Sequence, residues 1–362
     1  LNFFEKVSVS RSPGSAPDQT VIDVEVAEKS TGSLSIGAGY SSSDGPLADF
    51  GISEGNLLGK GQRLSFNASV AASKTRFNIG FTEPYFMDRE VSAGFDLYKV
   101  TDEQDESSYD SSSVGFALRA GYRIGEYLTQ SWSYGLDQTT VENVDSDAST
   151  LIKSQEGSEI TSSISHGLTY DVRDSKTLPT EGYKLSLSNK LAGLGGTTYY
   201  LRNSLSGAYY YPLGDQWVLS SRARLGHIVG LGEDVRMQDR FFLGGENLRG
   251  FEDSGVGPRD TSTTDALGGE YSFNGSTEMR FPLGLPNEYQ IAGSLFSDYG
   301  ILTELNPKNA NTVDESAFRA SVGIGISWIS PMGPIGLDWA FPVLKEDHDK
   351  TESFRFSFGT RF

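Results

Sequence analysis

Few residues in this 362-residue chain combine the types and spacing that chemistry requires. The strongest candidate is Arg249, within Arg240-Phe241-Phe242-Leu243-Gly244-Gly245-Glu246-Asn247-Leu248-Arg249-Gly250-Phe251-Glu252, where a glycine pair and an Arg-Gly-Phe turn mark a loop. A guanidinium is a planar fork that grips a carboxylate through two parallel hydrogen bonds, so its chemistry would be recognition rather than bond cleavage. An Arg-Gly in a loop is by itself most often a solvated turn, and the surroundings must decide. The candidates for catalysis are weaker. Ser165 and Asp171 share the polar face of an extended strand, whereas His166 falls on the apolar face with Ile164 and Leu168, so the three cannot converge. His227 and His348 stand near loop ends without obvious partners. Gly55 to Gly61 has the wrong spacing for a phosphate loop, and no Ser or Thr follows Lys60. His-x-x-x-His zinc spacing and a calcium-loop pattern are absent, and zero Cys excludes disulfides and thiolate sites. We expect no metal, no cofactor and no enzymatic activity.

The elements that must position Arg249 are strands. The chain has 42 Gly, 12% aromatic residues and a hydrophobic share of only 37%, which suits a sheet with one apolar and one polar face. No apolar run approaches the roughly 20 residues of a membrane-spanning helix, a test that a transmembrane β-barrel escapes because every second residue faces the lumen. A charge of −18 argues against a nucleic-acid partner. Alternation recurs from Ser33 onward: Leu34, Ile36, Ala38 and Tyr40 against Ser33, Ser35, Gly37 and Gly39, and finally Phe354, Phe356, Phe358, Thr360 and Phe362 against Arg355, Ser357, Gly359 and Arg361. About sixteen such segments fit a bacterial barrel, whose strand number is even. Short Gly/Pro turns, such as Leu58 to Gly61, Ile124 to Glu126 and Pro331-Met332-Gly333-Pro334, alternate with longer acidic connections at Asp102 to Asp110, Glu142 to Glu159, Leu302 to Glu315 and Lys345 to Glu352. That two-rim asymmetry, with Tyr85, Phe86, Tyr127, Tyr211 and Trp217 beside the short turns, favours an outer-membrane barrel over a soluble sandwich or propeller.

The expected fold class is therefore all-β, a transmembrane antiparallel barrel over residues 30–362 with a loop at 229–268 folded inward. Residues 1–29 form two short strands, Phe4 to Ser10 and Val21 to Ala27. Two strands cannot bury a core alone, so they read as the end of a domain whose remainder is missing. Parity sends Glu270, Glu278 and Arg280 inward from Gly269 to Phe281, and Asp298 inward from Tyr289 to Gly300. Arg249 can then pair with Glu278 or Asp298. The alternative is that these carboxylates are solvated or paired with Arg222, Arg224 and Arg280 on the strands.

Three motifs carry a family resemblance: Gly244-Gly245 followed by Leu248-Arg249-Gly250-Phe251; Phe296-Ser297-Asp298-Tyr299-Gly300; and Ser327 to Pro334 leading to the terminal Phe362. The chain resembles the superfamily of barrels preceded by polypeptide-transport-associated (POTRA) domains, and within it the central subunits of the outer-membrane β-barrel assembly machinery. The first motif is similar to the family's Val-Arg-Gly-Phe, with Leu248 in place of Val. The resemblance implies that Arg249 pairs with Glu278 and Asp298 inside the barrel, and that residues 1–29 end the last POTRA domain, in the periplasm. It implies an insertase for nascent outer-membrane β-barrel proteins, with accessory lipoproteins bound mostly through the missing POTRA domains and with outer-membrane lipid and lipopolysaccharide as surroundings. Its gate would be a weak seam between the first and last strands: Leu34, Ile36, Gly37 and Gly39 against Phe354, Phe356, Phe358 and Phe362. Gly32, Gly37 and Gly39 weaken the first of these strands. The alternatives are a related POTRA-barrel translocation factor, serving autotransporter assembly or two-partner secretion, and a passive porin. An outer-membrane hydrolase is a further class.

Overall fold

The computed structural model describes residues 3–16, 18–331 and 333–359. Leu1, Asn2, Pro17, Met332, Thr360, Arg361 and Phe362 lie outside the described residues, so the expected contribution of Phe362 to the seam does too. Sixteen antiparallel strands close into one barrel, from Gly32–Ser41 to Phe354–Phe358. Period-two patterning sets this directly. Ile36, Leu97, Leu118, Leu205 and Ile324 project outward and are exposed, while the intervening Ser, Gly and charged residues face the lumen. An apolar exterior of this kind suits lipid rather than water.

His166 lies on that outer face, as parity requires, stacked on Trp132 with ring centroids 4.6 Å apart. It belongs to a polar row crossing four strands. Gln130 Nε2 and His166 Nε2 are 3.0 Å apart, His166 Nδ1 and Asn189 Oδ1 3.3 Å, and Asn189 Nδ2 donates to Asn203 Oδ1 at 2.7 Å. Mutual hydrogen bonding is how polar groups survive on an apolar surface.

Ahead of the barrel, Phe4–Pro13 and Thr20–Glu28 pair as a separate two-stranded sheet. Val7 lies opposite Val26 and Val9 opposite Val24, and this valine face is exposed.

The rim asymmetry is real but less uniform than alternation suggests. Long connections occupy residues 143–156, 231–270, 304–318 and 345–353, whereas those at 42–44, 72–73 and 197–199 on the same rim are short. The expected acidic loop from Asp102 to Asp110 is mostly strand: Val91–Gln104 and Tyr109–Arg123 extend above the barrel wall, pairing as far as Gln104 with Tyr109. The extension is stabilised by packing that a local pattern does not show. Tyr109 and Val141 join Ile152, Met237, Leu267 and Leu305 in a buried cluster that roofs the lumen with the long loops.

Arg319 and Asp349 pin this roof. Both side chains are fully buried, with Arg319 Nε 3.0 Å and Nη2 3.2 Å from the two carboxylate oxygens. His348, which looked partnerless in sequence, lies with Nε2 3.2 Å from Arg319 Nη2. Removing one member of a buried pair leaves the other charge unpaired, at a cost of about 3 to 5 kcal/mol. Arg319→Ala is accordingly expected to lower the temperature at which the barrel loses its compact, heat-modifiable band. It should also make the 304–318 loop cleavable by added protease.

Candidate functional site

The long connection at 231–270 folds back into the barrel, and its course follows from glycine and leucine positions. Gly244 (φ 139°) and Gly245 (φ 60°) let the chain reverse, so that Gly245 N donates to Phe251 O at 3.0 Å. A Cβ on Gly244 would lie 2.0 Å from the Glu252 carbonyl oxygen, which is backbone and cannot swing aside. Gly244→Ala is therefore expected to displace the turn and cost several kcal/mol, read as a lowered unfolding midpoint and new proteolysis between Arg240 and Glu252. Leu248 and Phe251 are fully buried with Leu243, Val256 and Leu302. The apolar residues that bracket Arg249 thus anchor the turn against the inner wall.

Arg249 then meets an acidic cluster on three strands. From Ile291–Thr303, Asp298 accepts a bidentate grip: Nε donates to Oδ2 at 2.8 Å and Nη2 to Oδ1 at 2.9 Å, with the Arg249 backbone N–H adding 3.1 Å to Oδ2. From Tyr271–Pro282, Glu278 accepts Nη1 at 3.0 Å and Ser276 Oγ accepts Nη2 at 3.3 Å. From Gly333–Leu344, Asp338 Oδ1 lies 3.5 Å from Nη1. The guanidinium carbon sits 3.4 Å above the centroid of Phe296, a cation–π contact inside the same cluster. Ser321 Oγ donates to the Arg249 carbonyl oxygen. Burial alone would drive the guanidinium towards neutrality, but the Asp298 hydrogen bonds and charge, then Glu278 and Asp338, more than offset it and raise its pKa.

The structure thus brings Leu248, Arg249, Gly250, Phe251, Glu278 and Asp298 into one site. It does not pair these carboxylates with strand arginines: among the described residues no ion pair links Glu278, Asp298 or Asp338 to Arg222, Arg224 or Arg280. Two members were missing from the sequence reading. Asp338 is the one carboxylate of its strand and lies between outward Leu337 and Trp339, so parity would have exposed it. Phe296 shares the lumenal parity of Asp298, and an aromatic on a polar face was the available signal. Gly323 makes room for it, since a Cβ there would lie 2.3 Å from the Phe296 ring.

The same loop reaches the junction of the first and last strands. Glu252 N donates to Lys350 O at 3.1 Å, Lys350 N to Gly255 O at 2.9 Å and Glu352 N to Gly250 O at 3.1 Å, so the arginine turn is zipped to the segment entering the last strand. Arg355, in that strand, donates to Ser43 Oγ at 2.6 Å and to Glu352 Oε2 at 2.5 Å, and lies 3.4 Å from Asp253 of the loop. One side chain therefore links the loop, the last strand and the first hairpin.

At the seam itself, among the described residues, Ser357 pairs with Ser41 and Phe358 with Tyr40, and beyond them Ser42 N donates to Phe356 O at 3.0 Å while Phe356 N donates to Ser42 Oγ at 3.0 Å. Among the described residues the last two strands share five partnered pairs, and every other junction has eight to fourteen. Of the expected seam residues, Gly39, Phe356 and Phe358 meet across it, with Phe356 5.8 Å from Tyr40 ring to ring. Among the described residues Leu34, Ile36 and Gly37 pair with the second strand, and Phe354 packs on Trp339. Gly39 has a role beyond weakening its strand: a Cβ there would fall 2.4 Å from Phe358 O, so it permits the close approach of the last strand.

Comparison with known proteins gives consistent matches. The Omp85 superfamily domain matches residues 56–362. Outer membrane protein assembly factor BamA of Neorickettsia risticii is 32% identical over 100% of this chain and 49% of its own length, and that of Nitratidesulfovibrio vulgaris is 30% identical over 98% and 45%. The chain therefore spans about half the length of these curated relatives. Among solved structures, BamA from Haemophilus ducreyi lacking POTRA domains 1–3 superposes with a TM-score of 0.88 at 26% identity, covering 99% of this chain and 75% of that one.

Proposed function

Because the chain belongs to the Omp85 superfamily and is BamA-like throughout its length, we propose that it is the barrel of an outer-membrane insertase, which helps nascent β-barrel proteins fold into the bacterial outer membrane. The observation that carries this reading is the seam, which among the described residues is joined by two partnered pairs and the Ser42–Phe356 hydrogen bonds. In lipid each unpaired backbone amide or carbonyl costs several kcal/mol, so the edge of Gly32–Ser41 offers an incoming strand the hydrogen bonds that the membrane cannot. The process forms and exchanges only hydrogen bonds, so it calls for neither nucleotide nor metal. The two-stranded sheet at Phe4–Glu28 is, on this reading, the end of a periplasmic POTRA domain, and accessory lipoproteins would bind mainly to further such domains.

The inward loop favours this over a passive porin, because Arg249 and its neighbours occupy the lumen that a pore would keep open. Purified protein in vesicles is expected to accelerate the folding of a second, urea-denatured barrel over protein-free vesicles, and to show small erratic conductance in single-channel recording. No acceleration together with large, stable conductance would instead establish a pore.

A further inference from the structure

Beside the acidic cluster, the lumen carries cations that the Arg249 site does not use. Arg222 and Arg224 from Trp217–Gly230 and Arg280 from Tyr271–Pro282 form no ion pair among the described residues, in a chain of net charge −18. Register fixes their placing: Arg224 lies opposite Asn274, Arg222 opposite Ser276 and Arg280 opposite Val218. Arg222 lines two adjoining cavities. One of about 310 Å³ holds Lys184, Ser206, Arg224 and Asn274 and is bounded by Glu246 of the inward loop. The other, of about 340 Å³, holds Arg280 and Glu278 and opens at the short-turn rim beside Lys176 and Pro179. A basic track therefore runs from the rim to the loop.

We infer that this track is a binding site for an extended, carboxylate-bearing peptide segment, which on the proposed function is part of the unfolded client; the inference rests on that reading for its biological ligand. Three features select the ligand chemistry. First, the cations are strung out: Val218 and Arg224 lie six residues apart, about 20 Å at strand rise. A compact tetrahedral anion needs donors converging on one point, whereas spaced guanidinium groups match carboxylates spaced along a chain. Second, Ser206 supplies a hydroxyl between the charges, while Asn274, bonded through Nδ2 to Asn247 O, and Ser276, accepting from Arg249, keep an acceptor oxygen and a donor proton for a peptide backbone. Third, the wall already faces a carboxylate of this protein, Glu246, at its upper end. Without a ligand, Arg222 and Arg224, two residues apart on one face, repel each other.

The test is fluorescence anisotropy of a labelled alternating Glu-Ser peptide with the detergent-solubilised full chain, against a Lys-Ser peptide of equal length. The Glu-Ser peptide is expected to bind and to weaken with salt. R222Q/R224Q/R280Q should weaken it about tenfold or more, the combined effect of losing three partly exposed ion pairs. K345Q, on the far rim, should leave it unchanged. Retention of the heat-modifiable band shows that the variant is folded; should the triple variant fail to fold, each single variant is expected to weaken binding about threefold. Unchanged affinity in the folded variants, or equal binding of the Lys-Ser peptide, overturns the inference. So does loss of binding in inorganic phosphate at matched ionic strength, which would make the wall a compact-anion site. Vesicle insertion by the wild type is measured separately: insertion without peptide binding rejects only the track, and peptide binding without insertion rejects only the insertase.

Discussion

Arg249→Ala is expected to abolish most insertion activity and to destabilise the folded barrel by about 3 kcal/mol, the lower end of the range for breaking a buried pair because the lumen is partly wet. The substitution does more than delete one bond. Asp298, Glu278 and Asp338 all lie within 3.5 Å of the guanidinium, and without it three carboxylates face one another with no cation between them. The turn holding Gly250 keeps only the backbone N–H bond of residue 249 to Asp298, so the zipper to Lys350 and Glu352 beside the last strand is left without the side-chain grip that fixes it. Arg249→Lys separates charge from geometry. A lysine keeps the cation but cannot fork onto Asp298 or stack on Phe296, so stability should recover in part and insertion less. Thermal unfolding of the reconstituted barrel and a vesicle insertion assay read the two effects. Wild-type values in Arg249→Ala would remove the role of the cluster.

The second large effect is expected at the seam. Ser41 and Ser357 are direct partners, and antiparallel partners have Cα separations of about 4.5 to 5.5 Å, within the span a disulfide bridges. These 362 residues contain no Cys, so within this chain S41C/S357C can form only the intended bond. Oxidised, the variant is expected to keep its fold and lose nearly all insertion, with recovery on reduction. Full activity of the oxidised protein would mean that clients do not need this junction to part.

The barrel was legible in the sequence because alternation is a local signal. Parity alone turned Glu278 and Asp298 inward, and a glycine-rich interruption located the loop that meets them. Other features depend on distant pairing. The strand extensions through Gln104 and Tyr109 read as an acidic loop because the roof that stabilises them is assembled from residues 109, 141, 152, 237, 267 and 305. Asp338 was within reach of the same parity argument that found Asp298, but no motif drew attention to its strand. Arg355 looked like one more lumenal cation. Its importance comes from contacting Ser43, 312 residues away, together with Asp253 of the loop. Parity alone leaves Arg222, Arg224 and Arg280 as alternative counter-ions for the carboxylates, and the structure gives that role to Arg249 of the inward loop.

The central claim is that an incoming strand pairs with the exposed edge of the first barrel strand. Disulfide capture tests it most directly. Single cysteines at Ser33 or Ser35, on the part of that edge without a last-strand partner among the described residues, are combined with a client bearing one cysteine in its terminal strand and stalled during insertion. Ser113→Cys, lumenal but within the fully paired strand Tyr109–Arg123, serves as the comparison. Cross-links at Ser33→Cys and Ser35→Cys whose client positions shift in antiparallel register, with none at Ser113→Cys, are the expected result. Equal capture at all three positions, or capture without register, would contradict templating at the seam.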